Sequence, residues 1–311
     1  MSALPFIGPE EVARVPFADA ADALERALLD GLDPETDPAR SSFATDTGEL
    51  LLMPSSWASA AGVKLASVAP ANPERGLPRI QGVYVLFDGA TLAPAALIDG
   101  IALTSLRTAA VSALAVRRLA ARDASRLLVF GSGPQARSHA HALRELRPLE
   151  RVDVVARDRP RLEAFVERLR EAGFDAHAAG GSVGELVADA DLICCCTTAR
   201  EPLFDGDLVA PGTTVVAVGS HEPEAREVDE RLAGRAAVVI EARSAALREA
   251  GDVIQAIELG ALAGESLVTL AELVTGTASL PAERPRLFKS TGMAWEDVVV
   301  AAQLARRAGA L

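Results

Sequence analysis

The sequence predicts an α/β protein in which a doubly wound parallel sheet is joined to a second, discontinuous α+β domain. Three observations carry this expectation. Between residues 126 and 241, short unbroken apolar runs alternate with helical patterns. Strands that are apolar on both faces belong in a parallel sheet covered by helices on each side. Ahead of them, residues 49–53, 63–69, 82–87 and 92–98 read as strands of a different character, with the turn Asp88-Gly89-Ala90-Thr91 before the last. Finally, residues 294–310 form a helical pattern beyond the alternation, and this helix is expected to pack back on the first domain.

In chain order, residues 12–32 carry Ala and Leu at helical spacing and stop at Gly31 and Asp33-Pro34. The four strands follow, then one long helix at 104–121 with Ala109, Ala110, Ala113, Leu114 and Leu119 on its apolar face. Residues 126–131 are a short apolar strand, 134–146 a helix, 152–156 a strand and 159–172 a helix. A short strand at 176–179 precedes a helix at 183–188, and 192–197, 214–218 and 237–241 complete the strands. The expected domains are 1–118 with 293–311, for substrate binding and dimerisation, and 119–292 for the dinucleotide.

Composition bounds the rest. The 311 residues are 50% hydrophobic but only 4% aromatic, so the core must be mostly Ala, Val and Leu. A net charge of −12 argues against a nucleic-acid partner. No apolar run reaches the roughly 18 uncharged residues of a membrane span. The N-terminal stretch from Met1 to Pro5 has no basic region followed by an apolar run, so no secretory signal is expected. Cys194, Cys195 and Cys196 are consecutive and have no distant partner for a bridge, which suits a reducing cytoplasm. His139 and His141 lie two apart on a helix, the wrong spacing for a metal pair, and His177 is isolated, so no metal site is expected.

The strand Leu127-Leu128-Val129-Phe130 runs into Gly131-Ser132-Gly133-Pro134-Gln135-Ala136, and a helical pattern follows at once. This is the glycine-rich turn of a Rossmann-type dinucleotide site in its strand–turn–helix context. Gly131 permits the tight turn, Gly133 lets the backbone approach a pyrophosphate, and Ala136 allows close helix–strand packing. The helix N-terminus supplies unpaired N–H groups and the positive dipole end. At the tip of the next strand, where NAD enzymes place an acid for the ribose 2′-hydroxyl, the chain reads Ala156-Arg157-Asp158-Arg159. Arg157, with Arg159 in support, suits a 2′-phosphate and favours NADP(H). Asp158 falls one place late, so NAD(H) stays open.

At this point the chain resembles the ornithine cyclodeaminase/mu-crystallin family. The resemblance rests on Gly62-Val63-Lys64 with Pro70-Ala71-Asn72-Pro73, Leu86-Phe87-Asp88-Gly89, and the run from Leu103 to Ala115 containing Ser105-Leu106-Arg107-Thr108-Ala109. It continues in the glycine turn with Arg137 and in Lys289-Ser290-Thr291-Gly292-Met293-Ala294. It implies a homodimer formed through the first domain and a small imino or amino acid bound between domains against the nicotinamide. It further implies that Arg40, Lys64 and Arg107 hold the substrate carboxylate, and that Thr108 helps hold the cofactor phosphates. Cys196 and Thr197, Val218 and Ser220, and Lys289, Ser290 and Gly292 are the remaining candidate cofactor contacts. A cation inside an apolar strand (Lys64), or in the first turn of an Ala-rich helix (Arg107), needs a reason beyond a surface ion pair.

One departure is informative. After the strand at 214–218 the cyclodeaminases carry an Asp, and a Gly-Lys pair shortly beyond. Here the chain reads Gly219-Ser220-His221-Glu222-Pro223-Glu224-Ala225-Arg226-Glu227-Val228-Asp229. The Pro-x-x-Arg-Glu-x-Asp continuation is similar instead to mu-crystallin and to bacterial ketimine or pyrroline-2-carboxylate reductases. The expected activity is therefore NADPH-dependent reduction of a cyclic imino acid to proline or pipecolate, with His221 and Lys64 as the candidate catalytic residues. The alternatives are an amino-acid dehydrogenase or cyclodeaminase, and a non-catalytic NADPH- and ligand-binding protein.

Overall fold

The computed structural model describes residues 4–311. Residues 1–3, on which the expectations about a signal and about where the first domain begins partly fall, lie outside the described residues. The chain divides into two units: one runs to Val111 and resumes over Met293–Leu311, and the other is Ser112–Gly292.

The first unit contains β1 (Phe6–Ile7), α1 (Pro9–Val12), α2 (Phe17–Leu29), β2 (Ser41–Thr45), β3 (Gly48–Trp57), β4 (Ala60–Val68), β5 (Ile80–Asp88) and β6 (Pro94–Asp99). α3 (Gly100–Leu119) begins in this unit and ends in the next. The helix expected over 12–32 is broken after Val12. Pro16 cannot donate a helical hydrogen bond and turns the preceding residue from helical geometry, so α2 starts afresh behind it. α3 starts at Gly100, earlier than the pattern of alanines suggested, because Asp99 accepts a hydrogen bond from the Ala102 N–H at 2.8 Å and caps the first turn.

The six strands pair in the order β1-β6-β5-β4-β3-β2, antiparallel except for the β1–β6 pair. The period of two separates the faces. Met53, Lys64, Ala66, Tyr84, Leu86, Ala96 and Ile98 point inward and are buried. Phe43, Leu50, Leu52 and Leu65 are exposed, and the register brackets Leu50 between Phe43 and Ser67 and pairs Leu52 with Leu65.

The second unit is an alternation of β7 (Arg126–Phe130), α4 (Pro134–Leu146), β8 (Arg151–Val155), α5 (Arg159–Glu171), β9 (Ala176–Ala178), α6 (Val183–Asp189), β10 (Leu192–Cys195) and β11 (Thr214–Ala217). It continues through α7 (Glu230–Arg235), β12 (Ala237–Ile240), α8 (Arg243–Glu249), α9 (Gly251–Glu258), β13 (Val268–Thr269), α10 (Leu270–Thr275) and β14 (Arg286–Lys289). All eight strands are parallel, in the order β13-β12-β14-β11-β10-β7-β8-β9. From β7 the chain first builds outward through β8 and β9, then returns to add β10 and β11 on the other side. That reversal is the topological switch point at which such sheets bind ligands. α11 (Ala294–Arg307) then packs within the first unit against α2, β3 and β4.

The carboxyl-terminal turn of α3 is closed by a guanidinium. Arg147, 8% exposed, donates through Nη2 to the Val116 carbonyl at 3.0 Å and the Ala120 carbonyl at 3.1 Å. The Val116 carbonyl also accepts from the Ala120 N–H at 3.0 Å, so the guanidinium ties down the last turn, where helix carbonyls run out of backbone donors. Arg147→Ala should cost about 2 kcal/mol, the range of hydrogen bonds to charged groups. Urea unfolding checks this, and an unchanged midpoint would remove the cap from the stability account.

Candidate active site

In the second unit the glycine turn has the geometry its sequence implies. Gly131 has φ +114°, which L side chains rarely adopt, and a Cβ there would stand 2.5 Å from the Cys196 carbonyl oxygen. Gly131 therefore sits against the end of β10 at the switch point. Gly133 is the opposite case, since a Cβ added to it meets nothing within 4 Å. Gly133 is also the N-cap of α4 and provides no side-chain cap, Pro134 occupies the first turn, and that turn carries no acid. A 13-residue helix thus begins at an exposed residue with no side chain and open space beside it. The residues present fit a dinucleotide: Gly131, Ser132, Gly133, Gln135 and Ala136 would hold the pyrophosphate.

Farther along α4, His139 is fully buried, with Nδ1 2.8 Å from the Gln135 carbonyl and Nε2 2.9 Å from Ser112 Oγ. Burial pulls it down to about 4, so it is a neutral packing residue. Among the described residues no group of three or more His, Cys, Asp or Glu could hold a metal ion.

At the tip of β8 the three candidates separate. Asp158 is the N-cap of α5 and accepts from the Arg161 N–H at 3.0 Å, and Arg159 pairs with Glu163 at 2.7 Å. Arg157 is exposed. Cys194 and Cys195 are fully buried in β10, and loss of water pushes the Cys194 thiol up to about 12, which disqualifies it as a nucleophile. Thr197 turns its hydroxyl inward to Glu227. Val218 is half-buried after β11, Ser220 is buried with its hydroxyl donating to the Ala225 carbonyl, and His221 is exposed on the same loop.

Lys289 and Ser290 were expected to face the cofactor, but their polar atoms are committed to the protein interior. Lys289, 1% exposed, bonds the Asp252 carboxylate at 2.8 Å and donates to the Ser220 carbonyl at 2.7 Å. Ser290 Oγ donates to Glu241 at 2.6 Å, and the Gly292 N–H reaches the same carboxylate at 3.1 Å.

In the first unit the structure brings Lys64 and Arg107 together around two acids of α11. Asp297 Oδ2 bonds Lys64 Nζ at 2.8 Å, Asp297 Oδ1 accepts from Arg107 Nε at 3.1 Å, and Glu296 accepts from Arg107 Nη1 at 2.6 Å. Both carboxylates are fully buried, while Lys64 and Arg107 are 4% and 5% exposed. Burial first, then the like charge of Arg107, pulls the Lys64 ammonium down to about 8 against the attraction of Asp297, and half-buried Arg40 adds to the repulsion. A fully solvated lysine has no such poise near neutral pH. Arg107 lies well inside α3 rather than in its first turn, and Thr108 beside it is 7% exposed. Tyr84, beneath Gly62, is buried with an unpartnered hydroxyl.

Five acids were given no role by sequence reasoning, Glu227 entering only as part of a motif: Glu227, Glu241, Asp252, Glu296 and Asp297. The last two look like acids in the first turn of a helix, where solvent usually keeps them. The signal lay beyond them, in the apolar run from Val298 to Ala302, which buries the first turns of the helix.

The two glycines give a direct check on the nucleotide reading. Gly133→Ala should leave the thermal midpoint unchanged yet weaken NAD(P)H binding by about tenfold or more, since ~1.4 kcal/mol of lost contact suffices. Gly131→Ala should instead lower stability by about 1–3 kcal/mol through backbone strain. Fluorescence titration of the reduced cofactor with parallel melting curves separates the two outcomes, and undiminished affinity in the Gly133 variant would discard the site.

Comparison with known proteins shows the family and the fold. The chain is 33% identical over 279 residues to Delta(1)-pyrroline-2-carboxylate reductase of Bacillus cereus, covering 87% of this chain and 86% of the relative. It is 34% identical over 239 residues to ketimine reductase mu-crystallin of Mus musculus, covering 76% and 73% of the two chains. A solved Delta(1)-pyrroline-2-carboxylate reductase of Thermococcus litoralis, in complex with NADH and L-proline, superposes with a TM-score of 0.91 at 28% identity, covering 98% of this chain and 97% of that one. The family profile matches residues 12–310, and the chain belongs to the ornithine cyclodeaminase/mu-crystallin family.

Proposed function

We propose that this protein is an NADPH-dependent reductase of cyclic imino acids, converting pyrroline-2-carboxylate or piperideine-2-carboxylate to proline or pipecolate. The observation that carries the reading is the buried pair Lys64–Arg107, held by Asp297 and Glu296. A scaffold protein has no use for two desolvated cations, whereas a carboxylate taken out of water needs charge-assisted donors worth roughly 1.5–3 kcal/mol each. Arg40 is the third cation of the set.

The nicotinamide, when bound, supplies a hydride to the C=N carbon. The chain's own residues orient and protonate. Lys64 and Arg107 fix the carboxylate, and hence the face of the ring. The imine accepts hydride more readily as its protonated form, and two groups can serve it. Lys64 holds a proton at Nζ that it gives up near pH 8, and His221 is an exposed histidine on the loop after β11. His221 stands where cyclodeaminases carry an Asp, which weighs against deamination. NADP(H) over NAD(H) follows from Arg157, the exposed cation at the tip of β8, because Asp158 is engaged in capping. The three free cysteines suit a reducing cytoplasm, and among the described residues no helix is long and apolar enough to cross a membrane.

One experiment addresses these assignments together: reductase assays with cyclic imino acids and both cofactors from pH 5 to 10. We expect turnover, with kcat/KM falling as pH rises through about 8, because the cationic form of Lys64 binds the carboxylate and is lost above its pKa. Lys64→Met should abolish that limb, His221→Ala should lower the rate, and Arg157→Asp should turn preference toward NADH. Silence across the panel with intact NADPH binding would leave a ligand-binding protein instead.

The apolar outer face of the first sheet fits a second copy of the chain. Leu50, Leu52 and Leu65 are exposed beside Phe43, and a patch of this kind marks an interface. Sedimentation equilibrium should give twice 32.4 kDa, and a single-chain mass at micromolar concentration would rule the homodimer out.

A further inference from the structure

Three central strands of the second unit, β10, β11 and β14, lie side by side, and each ends in a loop at the carboxyl edge of the sheet. Two buried glutamates hold those loops. Glu227, fully buried, accepts through Oε1 from the Thr197 N–H and the Thr197 hydroxyl, both at 2.7 Å, and through Oε2 from the Gly219 N–H at 2.7 Å. One carboxylate thus joins the ends of β10 and β11. The fit is close, since a Cβ on Gly219 would stand 2.5 Å from Glu227 Oε1. Glu241, 2% exposed, does the same at β14: it accepts from Ser290 Oγ at 2.6 Å, the Thr291 N–H at 2.9 Å and the Gly292 N–H at 3.1 Å. Asp252 links the two sets. Its Oδ1 accepts from the Glu227 N–H at 2.6 Å and its Oδ2 pairs with Lys289 at 2.8 Å, while Lys289 donates to the Ser220 carbonyl.

Desolvating a carboxylate costs several kcal/mol, and well-packed neutral groups often replace buried charges without loss of stability. What the charge supplies is direction: each oxygen accepts from fixed main-chain donors and sets the path of the strand end. We propose that Glu227 and Glu241 are positioning residues that preset the nicotinamide-side rim of the cofactor site, with Lys289 acting through Asp252 and Ser220 rather than as a cofactor ligand. This rests on the cofactor reading of the glycine turn but not on the choice of imino acid.

The test uses the full chain and needs no turnover. Glu227→Gln keeps the shape but must turn its NH2 toward one of the N–H donors. In the cofactor-free protein, amide exchange at Thr197 and Gly219 should speed up while the strand cores keep their protection. NADPH should bind about tenfold or more weakly, as small misplacements of positioning groups do. ADP-ribose, which lacks the nicotinamide, should bind as to the wild type. Glu241→Gln should repeat the pattern with exchange faster at Thr291 and Gly292. Unchanged NADPH affinity, equal loss for both ligands, or faster exchange spread over the whole sheet would overturn the proposal. If Glu227→Gln does not fold, Thr197→Val removes one of its donors and is held to the same outcomes. A wild-type chain that binds ADP-ribose but gains no affinity from the nicotinamide would overturn the proposal while leaving the glycine turn a nucleotide site.

Discussion

Asp297 holds Lys64 through one carboxylate oxygen and Arg107 through the other, in a place water does not reach. An ion pair of this kind is poor evidence of stability, because the cost of drying each charge offsets much of the attraction. Its consequence is geometric and electrostatic. The two cations, carried on β4 and α3, are brought to one point by a helix from the far end of the chain. The price appears in Lys64, whose ammonium is pulled down to about 8. A cation that neither solvent nor a single partner fully stabilises is one that a carboxylate ligand can stabilise further.

The same constraint governs the second unit, with the signs exchanged. There the desolvated groups are mainly carboxylates, and main-chain N–H groups with one lysine satisfy them. Backbone donors are fixed by the strands that carry them, so a carboxylate that accepts several becomes a rigid joint. Glu227 and Glu241 each gather several donors at the rim where open parallel sheets bind ligands. Buried charge therefore serves shape at both sites, and stability comes from elsewhere, chiefly the small apolar side chains that fill the sheet layers.

What could be read from the sequence follows from this division. The alternation of apolar strands and helices, the glycine turn and the cations in apolar surroundings are local patterns, and α4 lies over 134–146 as the spacing implies. β2 was missed because every residue in it is exposed, so no buried face marks it. β14 was missed because it is four residues long and begins and ends on a cation. At the sites, Lys64 and Arg107 were legible because a charge in an apolar run is an anomaly. Asp297 and Glu296 were not, since acids at a helix start are ordinary and only tertiary packing buries them. Lys289 shows the limit of reading a motif. It was expected to face the cofactor with Ser290 and Gly292, but the direction of its side chain depends on Asp252, which no local pattern connects to it.

These positions also suggest how one fold can carry several chemistries. The rim of the second unit is held from beneath by Glu227, Glu241 and Asp252, all buried. Arg157 and His221, the residues that bear on cofactor choice and proton transfer in the proposed reaction, stand exposed at loop tips. A change at a tip leaves the buried hydrogen bonds intact and costs little in folding, whereas a change at a buried carboxylate strands several donors at once. Specificity is then free to vary at the surface of the site while the backbone beneath it stays in place. By that logic the departure at His221, rather than anything in the core, is where the proposed reduction would part from deamination.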